Sequence, residues 1–474
     1  MKIITLAIVL LITAAVSAQP DRNSFVRVTS KVFALSHVRL IDGTGSISAE
    51  DQTIIVADGK ITAVGPAAST TIPSGAQTLE MAGYTVLPGL VGMHDHMFFP
   101  EGGTPPIYSD MGISFPRLYL ALGVTTIRTT GSVTPYEDLE VKRRIDAGTM
   151  IGPKMWITAP YLEGKGAYTP VMHELTGADD ARRMVSFWAE QGATSFKAYM
   201  NITRDELRAA VEEAHKRGFR VTGHLCSIGY REAAQIGIDN LEHGLFPDSE
   251  FVPDKKPDLC PQGVGQSLQK LDIQGPEVKE TIRVLVDKHV ALTSTLPVFE
   301  ASAPIAQTGI GAARAVLNPR MLNTMSTDAR VRFLTARSRI AADSPYTVLV
   351  RKSMDFERAF VQAGGLLIAG LDPTGNGGVV AGFGDQREVE LLVEAGFTPV
   401  EAIKIATLNG AKFLGVDARI GSVSVGKQAD MFLVKGDPSK NISDIENVEI
   451  VFKDGIGWDS QKLIDSVQGL VGTR

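Results

Sequence analysis

The chain has 474 residues, of which 44% are hydrophobic and 21% are charged, and its formal net charge is −6. These values are ordinary for a globular protein, and the length suits two or three domains or one barrel with an appended domain. The acidic balance, without a basic block or an aromatic RNA-binding motif, argues against nucleic acid as a partner.

The first residues of the chain are typical of a secretory signal peptide. Lys2 supplies a short positive region, and an apolar stretch follows it and ends in the small residues Val16-Ser17-Ala18. We therefore predict that cleavage after residue 18 yields a periplasmic or secreted protein without membrane contact. A membrane anchor is the alternative, but the apolar stretch is short for a membrane span.

Only two cysteines are present, Cys226 and Cys260. An exported chain with so few cysteines does not depend on a disulfide framework for its fold. The two residues can form one disulfide, and the sequence does not decide whether they do.

Both ends of the chain are rich in β-forming residues. Near the N-terminus, two such runs are joined by a strong hairpin turn at Asp58-Gly59. Near the C-terminus, the run Met431–Val434 is followed by a second run and a turn at Asp454-Gly455. We predict that residues 19–85 and 416–474 together form one small composite β-sandwich.

Residues 86–415 alternate short apolar strands with helices, such as the amphipathic segment Arg204–Arg217 that begins after the N-cap Thr203. Strict alternation predicts an α/β fold, specifically a closed (β/α)₈ TIM barrel, with a doubly wound open sheet as the alternative. The eight candidate strands are Val86–His94, Val124–Thr129, Met155–Ala159, Thr194–Ala198, Arg220–His224, Asn240–His243, Ala291–Thr295 and Leu366–Gly370.

Four of the eight histidines lie at the C-terminal ends of these predicted strands. His94 and His96 end the first strand, His224 ends the fifth and His243 ends the sixth. In a barrel these ends meet at one mouth, which is where active sites of this fold are found. A single histidine on a strand is more often structural, but four in this position indicate a shared site.

The residue types at these strand ends point to metal chemistry. Residues i and i+2 of a strand face the same side, so His94 and His96 can bind one ion together. Imidazole is the usual ligand of zinc, and catalytic sites leave one position open for water. Asp372 adds a carboxylate after the eighth strand, and Lys197 lies in the fourth strand.

A lysine that faces a barrel interior is costly unless it is paired or chemically altered. With its pKa lowered, Lys197 could take up carbon dioxide and become an anionic carbamate able to bridge two metal ions. A salt-bridged, unmodified lysine is the alternative.

Several motifs in fixed order resemble those of the amidohydrolase superfamily, most closely its imidazolonepropionase-like and metal-dependent Xaa-Pro dipeptidase-like branch. The resemblance covers nearly the whole chain after the signal. Its motifs are Ala57–Ile61, Leu87–Leu90 leading into His94-Asp95-His96, Leu241–Gly244, Ala406–Ala411, Gly421-Ser422 and Gly426–Asp430.

The resemblance implies two divalent metal ions. His94 and His96 would bind the more buried ion, His224 and His243 the second, and a carboxylated Lys197 would bridge them. Asp372 would bind the first ion and act as the catalytic acid and base, while a water activated by the metals attacks the substrate. Zinc is the expected metal, although manganese, cobalt and iron tolerate the same ligands.

The resemblance also suggests substrate contacts. Tyr230 and Arg128 would bind a substrate carboxylate, with a structural ion pair as an equal alternative for Arg128. His173 lies in the loop after the third strand and would face the barrel mouth, with a plain loop role as the alternative. The chain departs from the family pattern at Thr129, where aspartate is common, and at Leu371, where a small or hydroxyl residue is usual.

The predicted function is hydrolysis of an amide bond in a small molecule, a dipeptide or an N-acyl amino acid. A hydrolase of cyclic amides or lactones is the second hypothesis, and an inactive exported binding protein is the third. Long loops over residues 97–112, 246–290 and 296–346 are expected to form the rim of the site. A homo-oligomer is compatible with the sequence, which does not determine the oligomeric state.

Overall fold

A computed structural model describes residues 22–473. The predicted signal peptide and its cleavage site lie outside the described residues. Within residues 22–473, none of the helices combines the length and the hydrophobicity that a membrane crossing requires.

The structure is built from 19 strands and 16 α-helices, with short 3₁₀ helices at Arg22–Phe25 and Ile442–Glu446 and a π-helical turn at Ile405–Asn409, within the part of the chain it describes. The strands are β1 (Val26–Val28), β2 (Val32–Leu40), β3 (Ala49–Ala57), β4 (Lys60–Pro66), β5 (Gln77–Glu80), β6 (Tyr84–Pro88), β7 (Leu90–Asp95), β8 (Phe98–Gly102), β9 (Ile107–Asp110), β10 (Val124–Thr129), β11 (Lys154–Ile157), β12 (Ser195–Ala198), β13 (Arg220–Gly223), β14 (Asn240–Glu242), β15 (Ala291–Ser294), β16 (Leu367–Ala369), β17 (Met431–Lys435), β18 (Val448–Lys453) and β19 (Ile456–Asp459).

The α-helices lie mostly between the strands of the central region. They are α1 (Ser114–Ala121), α2 (Pro135–Asp146), α3 (Ala178–Gln191), α4 (Arg204–Lys216), α5 (Tyr230–Ile236), α6 (Val264–Lys270), α7 (Pro276–Asp287), α8 (Leu296–Glu300), α9 (Ala313–Val316), α10 (Pro319–Thr324), α11 (Thr327–Ser338), α12 (Tyr346–Gln362), α13 (Phe383–Glu394), α14 (Pro399–Lys404), α15 (Gly410–Phe413) and α16 (Ser460–Asp465).

Eight parallel strands form the barrel in the order β7, β10, β11, β12, β13, β14, β15, β16. A parallel bridge between Thr158 and Ser195 joins the third strand to the fourth. The barrel closes where the amide of Asp372 donates to the carbonyl of His94, with 2.9 Å between N and O. A side chain at Gly370 would collide with the backbone of His94, so glycine permits this close approach. The predicted barrel is confirmed.

The nine remaining strands outside the small β8–β9 hairpin form one sheet from both termini, in the order β1-β19-β18-β17-β6-β2-β3-β4, with β5 beside β2. The sheet curls on itself around its own apolar core. Phe33 of β2 stacks on Phe452 of β18 with ring centroids 4.9 Å apart, although two strands lie between them in the sheet. The terminal sheet domain predicted from the two ends is therefore observed.

The prediction of a single first strand over Val86–His94 is wrong. The chain changes sheets at Gly89, whose amide donates to Asp430 of the terminal region, while the amide of Leu90 donates to Gly123 at the start of the barrel. A Cβ at Gly89 would lie 2.1 Å from the Thr125 hydroxyl oxygen, so only glycine fits at this crossing. Sequence periodicity alone cannot show such a change of sheet.

The long segments predicted as rim loops contain regular structure. Residues 97–112 form the β8–β9 hairpin, residues 246–290 include α6 and α7, and residues 296–346 include α8 to α11. The predicted helix after Thr203 is confirmed: the Thr203 hydroxyl accepts from the amide of Glu206, and the Glu206 carboxylate accepts from the amide of Thr203.

Cys226 and Cys260 form a disulfide with their Cα atoms 4.7 Å apart. It ties the segment after β13 to the long segment after β14. The sequence did not decide whether the two cysteines pair, and the structure shows that they do.

Candidate active site

The first two histidines of the site are positioned by the end of β7. The register of β7 against β10 shifts between Gly92 and Asp95, which marks a β-bulge in this strand. The His96 ring donates from Nδ1 to the carbonyl of Gly131 at 3.0 Å, so its Nε2 atom is free to accept or to bind an ion.

Asp372 lies at the centre of the histidine cluster. Its carboxylate oxygens are 3.8 Å from His94 Nε2, 3.7 Å from His96 Nε2 and 3.8 Å from His243 Nδ1. Potential ligand atoms of His94, His96 and Asp372 all lie within 4.8 Å of one another. Residues from the first, sixth and eighth strands therefore meet at one point of the barrel mouth.

His243 and Asp372 have left-handed backbones, with φ values of 70° and 52°. Residues other than glycine rarely adopt this conformation, and functional sites are where such strain is concentrated. His243 follows directly after β14, and Asp372 lies shortly after β16. The turn at each position directs the side chain into the mouth of the barrel.

Lys197 and His224 complete the cluster. Lys197 is buried on β12, and its Nζ atom is 3.2 Å from His94 Nε2. The His224 ring is 4.5 Å from the His243 ring between centroids. All six residues predicted as metal ligands are thus brought together.

Glu242 lies below this cluster and was not among the predicted site residues. Its carboxylate accepts a hydrogen bond from His94 Nδ1 at 2.7 Å and from the Arg128 guanidinium, also at 2.7 Å. Thr222 donates to the same carboxylate. A buried carboxylate on a histidine orients the ring and raises its basicity, as in many metal sites. The sequence signal was Glu242 itself, two residues after Asn240 on the inward face of β14.

Burial controls the protonation of the site. Desolvation, with the charge of Lys197 second, lowers the pKa of His94 well below its ordinary value and that of His224 to about 3. Desolvation lowers the pKa of Lys197 to about 8, and it raises the pKa of Asp372 to about 6. The histidines are therefore neutral at physiological pH, which is the form that binds metals.

A cavity of about 360 Å³ opens above the cluster. His96, Lys197, His224, His243 and Asp372 form its floor. Its walls are mainly aromatic and come from the hairpin and from loops after several strands: Phe98, Tyr108, Tyr161, Tyr168, Tyr199 and Phe299.

None of the three predicted substrate contacts lines this cavity. The Tyr230 ring is fully buried, and its hydroxyl donates to the carbonyl of Gly244 at 2.7 Å. Arg128 is buried beneath the cluster against Glu242. His173 is about half exposed and pairs with Asp180 at 3.0 Å. The structure gives all three residues protein partners and no place in the cavity lining.

The model of the amidohydrolase family matches residues 85–456, which include the barrel and every residue of the cluster. The chain belongs to the amidohydrolase family. An uncharacterised protein of Mycobacterium tuberculosis is 29% identical over 235 residues, 47% of this chain, and the match spans only 58% of that relative's length.

Two further relatives of this amidohydrolase match over more of their length. Ochratoxinase of Aspergillus niger is 23% identical over 411 residues, 75% of this chain and 71% of the relative. The crystal structure of a candidate prolidase from Bifidobacterium longum is 26% identical, with a TM-score of 0.65 over 92% of this chain and 99% of that one. The amidohydrolase fold, a barrel with an added sheet domain, is shared over almost the whole described chain.

Proposed function

We propose that this protein hydrolyses an amide C–N bond of a small molecule and that it does so with two divalent metal ions. The convergence of His94, His96 and His243 on the Asp372 carboxylate carries this proposal. Family membership supports the reaction class, since the similar proteins include an ochratoxinase and a candidate prolidase.

The residues fit such ions. The Asp372 Oδ1 atom is buried without a hydrogen-bond partner among the described residues, which is costly for a carboxylate unless an ion or a substrate completes it. Neutral imidazoles and a carboxylate are suitable ligands for zinc, and manganese, cobalt and iron accept the same set.

His94, His96 and Asp372 would hold one ion, and His224 and His243 would hold the other. Lys197 lies against His94, and as a carbamate it would help to hold the ions. Its burial and lowered pKa support this modification, since only the uncharged amine reacts with carbon dioxide.

When bound, the ions would polarise the scissile carbonyl and lower the pKa of water. Asp372 would accept a proton as water attacks the carbonyl carbon and forms the new C–O bond. It would then pass this proton to the departing nitrogen as the C–N bond breaks, which gives a carboxylic acid and an amine. Glu242 would hold His94 in the orientation that this geometry needs.

The carboxylate contacts expected for a dipeptide or an N-acyl amino acid, Tyr230 and Arg128, do not line the cavity. We retain N-acyl compounds with aromatic groups as the proposed class, since six aromatic rings surround the site. We also propose an exported, oxidising location, which the Cys226–Cys260 disulfide supports.

Metal analysis of the purified protein combined with turnover on panels of dipeptides, N-acyl aromatic amines and cyclic amides tests this function. The expected result is two ions per chain and amide cleavage that a chelator abolishes. Cleavage confined to lactones, or bound metal without any cleavage, would contradict the proposal.

A further inference from the structure

Apart from the proposed ions, whose charge Asp372 and a carbamate on Lys197 would partly offset, the cavity described above contains little positive charge. Lys197 is the only lysine or arginine that lines it among the described residues, and its Nζ atom is already 3.2 Å from His94. A free carboxylate on a bound substrate would therefore find no guanidinium or free ammonium to pair with. Burial of an unpaired carboxylate is strongly unfavourable.

Three arginines near the site contribute no side chain to the cavity lining. Arg332 pairs with the buried carboxylate of Glu101 at 2.5 Å, and Arg337 donates to the carbonyl of Ala301 at 2.7 Å. Arg128 is held below the cluster by Glu242. Arg332 could turn into the cavity only by leaving the buried Glu101 carboxylate without a partner, and neither Arg337 nor Arg128 is among the residues that line the cavity.

The aromatic walls are fixed against the histidines. Phe98 stacks on His96 at 4.4 Å, and Phe299 packs edge-on against His243 at 5.7 Å between centroids. Phe246 stacks in turn on Phe299 at 3.4 Å. Rigid apolar walls on two sides of the reacting position favour flat hydrophobic groups on both sides of the scissile bond.

A third wall carries uncharged donors. Tyr161 and Tyr199 lie 4.9 Å apart between ring centroids, and Tyr199 is 5.0 Å from His224. The hydroxyls of Tyr108, Tyr161 and Tyr199 donate to no other residue between 22 and 473, and all three side chains line the cavity. Phenolic hydroxyls at these positions can donate to a neutral oxygen of a substrate.

From these contacts we propose that the site selects neutral amides with aromatic groups on both sides of the scissile bond and discriminates against a carboxylate beside the departing nitrogen. This inference rests on the proposed amide hydrolysis and narrows its substrate class. It separates the protein from enzymes that anchor the C-terminal carboxylate of a dipeptide.

Three compounds that release the same acid test the inference: N-benzoyl-phenethylamine, N-benzoyl-phenylalaninamide and N-benzoyl-phenylalanine. They differ only in whether the carbon beside the nitrogen carries hydrogen, a carboxamide or a carboxylate. With the metal-loaded enzyme, benzoate release should give a kcat/KM at least tenfold higher for each neutral compound than for N-benzoyl-phenylalanine. An equal or higher kcat/KM for the carboxylate compound would overturn the inference while leaving amide hydrolysis intact.

If none of the three is cleaved and the amide panels also fail, the proposed function fails, and calorimetry then decides the inference separately. Tighter binding of the two neutral compounds to the metal-loaded protein supports it. Equal or tighter binding of N-benzoyl-phenylalanine, or binding of none of the three, overturns it. Variants Tyr161→Phe and Tyr199→Phe should raise KM for the neutral compounds severalfold. They should therefore reduce the ratio of kcat/KM between the neutral compounds and N-benzoyl-phenylalanine.

Discussion

The Glu242 carboxylate lies 2.7 Å from His94 Nδ1 and, through its other oxygen, 2.7 Å from the Arg128 guanidinium. All three residues are buried. Glu242 therefore connects the predicted metal ligand His94 to the positive charge of Arg128, which does not line the cavity.

Replacement of Glu242 by glutamine tests this link. The amide retains an oxygen that can accept from Arg128 or His94, but it removes the negative charge that stabilises the ring as a metal ligand. We expect metal affinity to fall about 10- to 100-fold, as for outer-shell partners in general. Competition with a chromophoric chelator measures it. The exposed variant Glu137→Gln is the control, and an affinity within twofold of wild type would contradict the assigned role.

Asp372→Asn keeps the size of the side chain but removes its ability to take a proton. We expect kcat/KM for any amide substrate to fall by at least about 10³-fold. Metal content, measured on the same sample, distinguishes a lost base from a lost ligand. His215→Ala should leave activity unchanged, because His215 is partly exposed and pairs with Asp239 far from the cluster. Substantial activity in Asp372→Asn would remove Asp372 from the mechanism.

Lys197 gives a prediction that depends on pH and carbon dioxide. Burial lowers its pKa to about 8, so roughly one amine in ten is uncharged at pH 7 and the fraction rises with pH. Protein exposed to ¹³C-labelled bicarbonate should show a carbamate resonance by NMR. Lys197→Ala should lose activity and recover part of it with added propionate.

Lys197→Arg is the matched control, because arginine keeps a positive charge and cannot form the carbamate. It should be inactive with or without propionate. If Lys197→Arg retains more than half of the wild-type kcat/KM, the carbamate has no role.

Asp138 predicts a pH-dependent change in stability. It is buried in α2, and desolvation raises its pKa from 3.8 to about 8. The folded state therefore binds a proton more tightly than the unfolded state, and the free energy of unfolding falls as pH rises from about 4 to about 8. Asp138→Asn should remove this loss and raise stability at pH 8 by about 1 kcal/mol or more, with little change at pH 4.

Denaturant unfolding at both pH values measures the effect of Asp138→Asn. The neighbouring Glu137 is exposed, so Glu137→Gln should change stability equally little at each pH. A destabilised Asp138→Asn at pH 8 would show that the carboxylate has a partner that compensates its burial.

We predict that removal of the disulfide lowers the free energy of unfolding. It closes a loop with a sequence separation of 34, and chain-entropy arguments assign about 3–4 kcal/mol to a loop of this length. The double variant Cys226→Ser/Cys260→Ser should lose about that much stability. A reductant should lower the Tm of the wild type but not of the variant, and a wild type insensitive to reductant would contradict this contribution.

The sequence predicts the barrel and the six clustered residues well, because parallel strands place their C-terminal ends at one mouth whatever the loops do. The two-residue period of a strand was sufficient to predict that His94 and His96 face the same side. Glu242 was missed because its role depends on partners in other strands, His94 on β7 and Arg128 on β10. The left-handed backbone of His243, which aims its ring inward, also has no signature in a single sequence.

The three predicted substrate contacts do not line the cavity, and the reason is physical. Tyr230 and Arg128 follow or lie in barrel strands, but their polar groups satisfy buried carbonyls and a carboxylate inside the protein. The cavity walls come instead from segments such as the β8–β9 hairpin, whose conformation depends on tertiary packing. Residue type alone does not reveal which side chains of such segments face the histidine cluster.

The pairing of β6 with β17 has a consequence for how the protein matures. The strand that leads into the first two histidines is completed by a strand from the last tenth of the chain, and the barrel seam needs the segment that carries Asp372. A growing polypeptide therefore cannot bring the proposed metal ligands together until the segment with Asp372 has been synthesised, and it cannot complete the terminal sheet until β17 has been. Binding of the proposed ions would then be a late event, and for an exported chain it would take place on the far side of the membrane.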